Sequence, residues 1–239
     1  MDTKADVVTS SADQKLQQEF NEWAAAGRGD AMEDHHSDIT DQTLALMDLQ
    51  PADRVLDLGC GTGWASRRMA KMVPRGEVTG IDVSDEMLRR AEQASSISGT
   101  GNVRYVWGSA EHIPAEDNSF DKVLSVESFY YYADQGKALD ELRRVMAPGA
   151  RLFILINLYE DNKFSLLWVD ELKVPVQVRS EAEYLQLLRQ HGFKDVEARR
   201  IPDRSPTPDN YFGKWFKNAD ELRDFKRIGA LLLIGTKPK

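Results

Sequence analysis

Cysteine and long apolar runs are nearly absent from this 239-residue chain. The single cysteine, Cys60, cannot form an internal disulfide, and with four histidines it is too little for a cysteine-rich metal site. The longest apolar runs, residues 152–156 and 228–234, are far shorter than the roughly 20 residues of a transmembrane helix. The N-terminus also lacks the apolar core of a secretory signal. We therefore expect a cytoplasmic protein with no metal site and no membrane partner.

Positive charge is scarce as well. Lys and Arg total 31 against 39 Asp and Glu, which leaves a net charge of −8. Such a chain repels phosphate backbones in its mean field, so we expect no nucleic-acid partner. Hydrophobic residues at 41% and charged residues at 29% are typical of a globular protein, and the length fits one large domain better than two small ones.

Short apolar runs alternate with amphipathic segments in the middle of the chain. This alternation predicts a parallel sheet covered by helices on both faces, with a ligand site beyond the carboxyl ends of the strands. The predicted strands are 54–58, 77–81, 102–107, 120–126, 151–158, 195–201 and 230–235, and the predicted helices are 64–72, 85–94, 135–146 and 181–190.

The ends of the chain are less regular. Residues 1–15 are polar and predict a flexible arm. A short helix from residue 16 to about 26 follows, then a break at Gly27 and Gly29, then a helix over 38–47. Two further segments, about 158–178 and 203–227, contain many aromatic residues, and the second begins in a proline-rich loop.

The most informative stretch is VLDLGCGTGWAS, residues 55–66, which places a carboxylate and three glycines at alternating positions of a strand-to-helix turn. Glycines there let a ligand approach the backbone. Asp82 ends the next strand, where a carboxylate can accept hydrogen bonds from ribose hydroxyls. A dinucleotide turn, G-x-G-x-x-G, would need glycine at position 64, where this chain has Trp64.

This D-x-G-x-G-x-G turn resembles the first motif of the class I S-adenosylmethionine-dependent methyltransferases, of the small-molecule, UbiE-like type. The resemblance covers about residues 50–156. It continues in GID (80–82), GSAEHIP (108–114), NSFD followed by VLSVES (118–128) and LRRVMAPGARLFI (142–154).

The resemblance implies an α/β fold: a Rossmann-like three-layer sandwich whose seven-stranded sheet is mostly parallel, with the last strand antiparallel. Residues 51–239 would form the methyltransferase domain and residues 16–50 a helical lid. S-adenosylmethionine would be the methyl donor and S-adenosylhomocysteine the product.

The resemblance also implies roles for individual residues. Asp57 would approach the methionine ammonium and Asp82 would hold the ribose, while Ser109 stands where the family usually has an aspartate for the adenine amine. The other residues expected around the donor are Gly63 in the glycine turn, Gly59, Cys60, Gly61, Ser125 and Val126 at the methionine, and Val83, Met87, Ala110 and Glu111 at the adenine.

The acceptor side is less defined by the sequence. His35 and His36 are candidates for a general base in the lid, or else capping or surface residues. Tyr131, in the aromatic run 129–132, is a candidate to face the acceptor, or else part of the core. Four aromatic residues of the two extra segments have two possible roles. They would either complete an apolar chamber for the acceptor or form the packing of these segments themselves: Trp168, Tyr211, Phe212 and Trp215.

The expected function is methyl transfer to a small, partly apolar molecule by in-line displacement, without metal. Two alternatives stay open from the sequence. One is a protein that binds S-adenosylmethionine or S-adenosylhomocysteine without catalysis. The other is a nucleotide-dependent oxidoreductase, against which the missing third glycine counts.

Overall fold

A seven-stranded sheet carries the fold in the computed structural model, which describes residues 10–239 apart from the side chain of Asp30. Its strands are β1 (Arg54–Leu58), β2 (Glu77–Asp82), β3 (Val103–Trp107), β4 (Phe120–Val126), β5 (Met146–Ile156), β6 (Lys194–Ile201) and β7 (Ala230–Thr236). The strand order is β3-β2-β1-β4-β5-β7-β6. The first five strands pair in parallel and β7 is antiparallel to both its neighbours. The predicted fold class is confirmed.

Helices pack on both faces of this sheet. They are α1 (Ser11–Ala25), α2 (Arg28–Met47), α3 (Trp64–Met72), α4 (Asp85–Ser98), α5 (Gln135–Val145), α6 (Glu181–Gln190) and α7 (Ala219–Ile228), with short 3-10 helices η1 (Phe129–Tyr131) and η2 (Ser165–Glu171). Along β1, Leu56 and Leu58 join one buried apolar cluster while Val55 joins another. Because successive strand residues point to opposite faces, the sheet is buried on both sides.

The N-terminal helices differ from their predicted bounds. Helix α1 begins at Ser11 because Ser10 and Asp13 form a capping box, in which each side chain accepts the other's backbone N–H. The prediction that a flexible arm extends to residue 15 is therefore wrong for the described part, and residues 1–9 lie outside the described residues. Gly27 separates α1 from α2, but Gly29 lies inside α2 and does not break it.

Gly29 has a packing reason to be glycine. A Cβ on Gly29 would stand 2.7 Å from the Thr62 methyl group and 3.0 Å from the Met87 sulfur. The missing side chain therefore lets the start of α2 approach the turn after β1 and the first turn of α4. This contact places the N-terminal helices against the ligand end of the sheet.

Two later elements also differ from prediction. β5 begins at Met146 rather than residue 151 and runs through Pro148 and Gly149; its pairing with β4 is irregular there, so the missing proline N–H is tolerated. Helix α7 occupies part of the second extra segment, with Asn218 capping its first turn. Within the described residues, no helix combines the length and apolarity that a membrane span requires.

Candidate active site

A cavity lies beyond the carboxyl ends of β1, β2 and β4, beneath α1 and the start of α2. It encloses about 1170 Å³ of empty space, including the open space at its mouth. Residues of the predicted site that line it are Asp57, Gly59, Cys60, Gly61, Asp82, Val83, Met87, Ser109, Ala110, Glu111, Val126, His36 and Tyr131. The strand order reverses between β1 and β4, which is where open α/β sheets bind ligands.

The glycine turn after β1 forms the floor of the cavity. The backbone N–H groups of Gly59 and Cys60 donate to the Ile81 carbonyl at 2.8 and 3.0 Å, which fixes the turn against β2. Gly61 has a φ of 51°, and a Cβ added there would meet no protein atom within 4 Å. The backbone at Gly61 thus faces open cavity space, as close approach of a donor molecule requires.

Two carboxylates stand beside this turn. Asp57 is 1% exposed and accepts a hydrogen bond of 2.5 Å from the Ser66 hydroxyl. Burial raises the pKa of Asp57 to about 6, and the nearby charge of Asp82 contributes in the same direction. Asp82 accepts from the Gly61 and Ser84 backbone N–H groups, each at 2.8 Å, and burial raises its pKa also. Both groups would gain from a positively charged ligand.

Hydrogen bonds also shape the cavity wall that follows β2 and β3. The Ser109 carbonyl accepts from the His112 backbone N–H at 3.2 Å, which shapes this turn. The Glu111 carboxylate accepts from the Asp134 backbone N–H at 2.8 Å. Glu111 is therefore already held at the N-terminus of α5, where the helix dipole favours a negative charge.

Helices α1 and α2 close the side of the cavity opposite the glycine turn. Leu16, Phe20 and Trp23 of α1 line the cavity together with Met32 of α2. The Phe20 ring packs edge-on against Tyr131, with 5.1 Å between ring centres. This side of the cavity is therefore apolar and aromatic, in contrast to the carboxylate floor.

A polar clasp fixes α1 to the start of α4. The Ser84 hydroxyl donates to Asn21 Oδ1 at 2.6 Å, and Asn21 Nδ2 donates to the Asp85 carboxylate at 2.9 Å. A second contact of α1 is the ion pair of Lys173 with Glu22 at 3.0 Å. The clasp holds the aromatic face of α1 over the cavity.

The two neighbouring histidines are placed differently. His36 lines the cavity, and its Nδ1 lies 2.9 Å from the Met32 carbonyl oxygen. Because a carbonyl only accepts, a neutral His36 carries its proton on Nδ1 and keeps the Nε2 lone pair free. His35 does not line the cavity, although its ring lies edge-on to that of His36.

Two other predicted site residues are also absent from the cavity lining. Gly63 caps α3 in a left-handed conformation, and a side chain there would clash with Tyr105. The Ser125 hydroxyl is fully buried and bonds to the Ser128 hydroxyl at 2.7 Å.

The aromatic residues of the extra segments pack together instead of lining the cavity. Trp168 lies edge-on to Trp215 and Phe225, at 6.4 and 5.5 Å between ring centres. Phe212 is 97% exposed. Of the two interpretations open from the sequence, packing of the added segments holds for Trp168, Tyr211 and Trp215, whereas Phe212 neither packs nor lines the cavity.

Sequence reasoning missed Glu127 and Ser128, which follow β4 directly and line the cavity; Tyr132 also lines it and belongs to the aromatic run 129–132, of which Tyr131 was the named candidate. Glu127 has a left-handed φ of 52° and its carboxylate accepts from the Tyr130 hydroxyl at 2.9 Å. Its place after a buried strand, at the ligand end of the sheet, was the available signal.

Comparisons with known proteins agree with this geometry. A family model described as a methyltransferase domain matches residues 56–154. The O-methyltransferase rstn1 of Aspergillus nomiae is 31% identical over 79% of this chain and 85% of its own length. The ubiquinone/menaquinone biosynthesis C-methyltransferase UbiE of Pasteurella multocida is 31% identical over 71% and 68%.

Among solved structures, a methyltransferase of Haloferax volcanii, in complex with the Trm112 methyltransferase activator, superposes with a TM-score of 0.86. It is 32% identical and the match covers 92% of this chain and 98% of that one. With this identity and coverage, and with a glycine turn and strand-end carboxylates at the switch point of its sheet, the chain belongs to the class I S-adenosylmethionine-dependent methyltransferases.

Proposed function

We propose that this methyltransferase transfers a methyl group to a small, partly apolar molecule by in-line displacement, without a metal ion. The observation that carries the proposal is the division of the cavity into a carboxylate and glycine floor and an aromatic wall. The donor supplies a methyl group activated on a positively charged sulfur. The protein's own task is then to hold donor and acceptor in line and to exclude water.

The donor belongs on the floor. Asp57 would attract the donor's ammonium group and Asp82 would accept from its ribose hydroxyls. Each carboxylate oxygen can accept more than one hydrogen bond, so the backbone contacts of Asp82 leave room for ligand hydroxyls. Val83, Met87, Ser109 and Ala110 line the cavity around the site proposed for adenine.

The acceptor belongs under α1. The side chains of Leu16, Phe20, Met32 and Tyr131 offer apolar surface there, and His36 is a polar group of the same wall. An acceptor with an apolar body and one reactive polar atom suits this combination. A lid role for residues 16–50 follows, because opening the cavity here requires release of the α1 clasp.

The test has three measurements. Calorimetry with S-adenosylhomocysteine should show binding, whereas NAD should not bind. A screen of phenols, hydroquinones and small amines with methyl-labelled S-adenosylmethionine should then give labelled product. His36→Asn should lower turnover more than the matched His35→Asn variant. Donor binding without any transfer across the screen would favour a non-catalytic binding protein instead.

The solved complex also favours an activator protein as a partner. Since the Haloferax volcanii methyltransferase was solved with Trm112 and resembles this chain along almost its whole length, we propose a Trm112-like partner here. Co-expression with such a protein should raise the yield or turnover of the methyltransferase. Separate elution of the two proteins on size-exclusion chromatography would contradict the proposed partner.

The cytoplasmic location stays a prediction.

A further inference from the structure

Three hydroxyl groups from β4 and the residues after it meet one backbone carbonyl at the end of β1. The Ser128 hydroxyl oxygen lies 2.7 Å from that of Ser125 and 2.9 Å from that of Tyr132. Ser128 also donates to the Leu58 carbonyl at 3.1 Å, and the Tyr132 hydroxyl lies 3.4 Å from the same carbonyl oxygen. Ser125, Ser128 and Tyr132 therefore form one hydroxyl cluster with Ser128 at its centre.

The partners of this cluster determine where its protons lie. A carbonyl oxygen only accepts, so the single proton of Ser128 is committed to Leu58. The contact between Ser128 and Tyr132 is then a hydrogen bond only if Tyr132 donates. The Leu58 carbonyl would draw the Tyr132 proton inward as well. The Tyr132 proton thus points into the cluster, and its oxygen keeps a lone pair for a ligand.

The hydroxyl cluster lies against the glycine turn on the floor of the cavity. A Cβ on Gly59 would clash with the Ser128 hydroxyl and would stand 3.4 Å from the Tyr132 hydroxyl oxygen. Gly59, Ser128 and Tyr132 all line the cavity. The missing side chain at Gly59 therefore brings the Tyr132 oxygen close to the backbone on which the donor is proposed to lie.

Tyr132 also stands at the border between the floor and the aromatic wall. Its neighbour in the chain, Tyr131, packs against Phe20 of α1 with 5.1 Å between ring centres. In-line transfer requires that the methyl group lie between the donor and the acceptor. The methylated sulfur of a donor on the floor therefore lies at this border, beside the Tyr132 hydroxyl.

Tyr132 keeps its proton at neutral pH. The side chain is buried, which raises its pKa, and the negative charges of Asp57 and Asp82 act in the same direction. A neutral hydroxyl whose proton is turned away presents the negative end of its dipole to the cavity. Such an oxygen attracts a positive group and also accepts weak hydrogen bonds from polarised C–H groups.

We propose that Tyr132 makes the site selective for the donor over the product, because its oxygen faces the positively charged sulfur and the methyl hydrogens of S-adenosylmethionine. S-adenosylhomocysteine has a neutral sulfur without this methyl group, so the contact is lost once the methyl group has been transferred. The loss favours replacement of the product by a new donor molecule. This inference rests on the donor placement of the proposed function and adds a residue that distinguishes the two forms of the cofactor.

The test compares the affinities of the full-length protein for S-adenosylmethionine and S-adenosylhomocysteine, by calorimetry without acceptor. Both ligands carry the same adenosine and ammonium groups and differ only at sulfur. Tyr132→Phe keeps the ring and removes the hydroxyl. We expect the affinity for S-adenosylmethionine to fall about tenfold, as for a lost contact with a charged group, and the affinity for S-adenosylhomocysteine to stay unchanged. A general loosening of the turn would weaken both ligands and leave their ratio unchanged.

Tyr184→Phe is the matched control. Tyr184 is also a buried tyrosine, but its hydroxyl donates to the Gln177 carbonyl at 3.1 Å and it does not line the cavity. This variant should bind both ligands as the wild-type protein does. Thermal unfolding of both variants checks that the fold is retained.

A second measurement needs only the wild-type protein. The methyl protons of bound S-adenosylmethionine, labelled with ¹³C at the methyl group, should resonate downfield of those of the free donor, because a C–H···O contact deshields them. An upfield shift, the effect of the face of an aromatic ring, would overturn the proposed contact.

The remaining outcomes separate this inference from the proposed function. Equal losses of both affinities in Tyr132→Phe would place its hydroxyl at a group that the two ligands share, which overturns the contact with sulfur. Unchanged affinities for both ligands would overturn any contact of this hydroxyl with the donor. Failure of the proposed function would instead be seen in the wild-type protein, as absent binding of both ligands or absent transfer in the screen.

Discussion

Asp57→Asn should stabilise the ligand-free protein at neutral pH while weakening donor binding. Asp57 is buried, and its pKa rises from the ordinary 3.8 to about 6, chiefly because burial disfavours the charged form. Asparagine has a similar shape, stays neutral, and keeps an oxygen that accepts from the Ser66 hydroxyl. The substitution therefore removes an unfavourable charge without emptying space in the core.

The size and sign follow from proton linkage. The folded state binds the Asp57 proton more tightly than the unfolded state, so this contribution to stability is complete below pH 3.8 and is lost as pH rises through about 6. The difference of about 2 pKa units corresponds to about 3 kcal/mol. Above the folded pKa, the Asn variant should thus be more stable than wild type by up to about 3 kcal/mol.

Urea unfolding at pH values on both sides of 6 measures this difference, with the exposed Asp170→Asn as the control. The stability gain should shrink as the pH falls towards 4. Calorimetry with S-adenosylmethionine should show weaker binding to Asp57→Asn, because the ammonium loses its counter-charge. A variant that is less stable than wild type at neutral pH would refute the buried-charge reasoning, and unchanged donor affinity would refute the ammonium contact.

Three further outcomes are expected. Asp82→Ala should weaken S-adenosylhomocysteine binding by about 1.5–3 kcal/mol in calorimetry, since hydrogen bonds to a charged group are lost; unchanged affinity would contradict the ribose assignment. Gly61→Val should abolish this binding, because its side chain would fill cavity space, whereas Gly101→Val, where an added Cβ also meets nothing within 4 Å, should bind normally. Asn21→Ala removes the hydrogen bonds that hold α1 to the start of α4, so turnover should fall more than donor affinity. The backbone amides of α1 should also exchange hydrogen with solvent faster, and an unchanged exchange rate would contradict the role of the clasp.

The sequence was most informative where local signals agree. The observed bounds of β1, α3 and β4 match their predicted ranges, because each apolar run is bounded by glycine, proline or polar residues. The glycine turn and Asp82 were placed at strand ends by the same signals, and the structure brings them together in one cavity.

Local signals were misleading where another part of the chain decides the outcome. Pro148 and Gly149 indicated a break, yet pairing with β4 extends β5 through them. Helix α7 does have a sequence signature, with Asn218 before an acidic first turn and a basic last turn. The prediction described this segment only by its proline-rich loop and its aromatic residues, and named no helix there.

The acceptor wall depends on contacts between distant residues. Phe20 meets Tyr131 only because α1 is fixed over the sheet by Asn21 and its partners more than 60 residues away. Periodicity predicts a helix near residue 20 but does not predict which element its apolar face will cover.

The acidic composition has a local meaning that the net charge alone did not reveal. Asp57, Asp82 and Glu127 all line the cavity, and burial raises the pKa of each. Without a ligand these carboxylates cost folding stability at neutral pH, and a positively charged donor reduces that cost where its ammonium group pairs with Asp57. Donor binding should therefore raise the unfolding temperature more above pH 6 than below it, since only an ionised Asp57 pairs with the ammonium group. The buried charge that makes the ligand-free protein less stable thus makes the site selective for a cation.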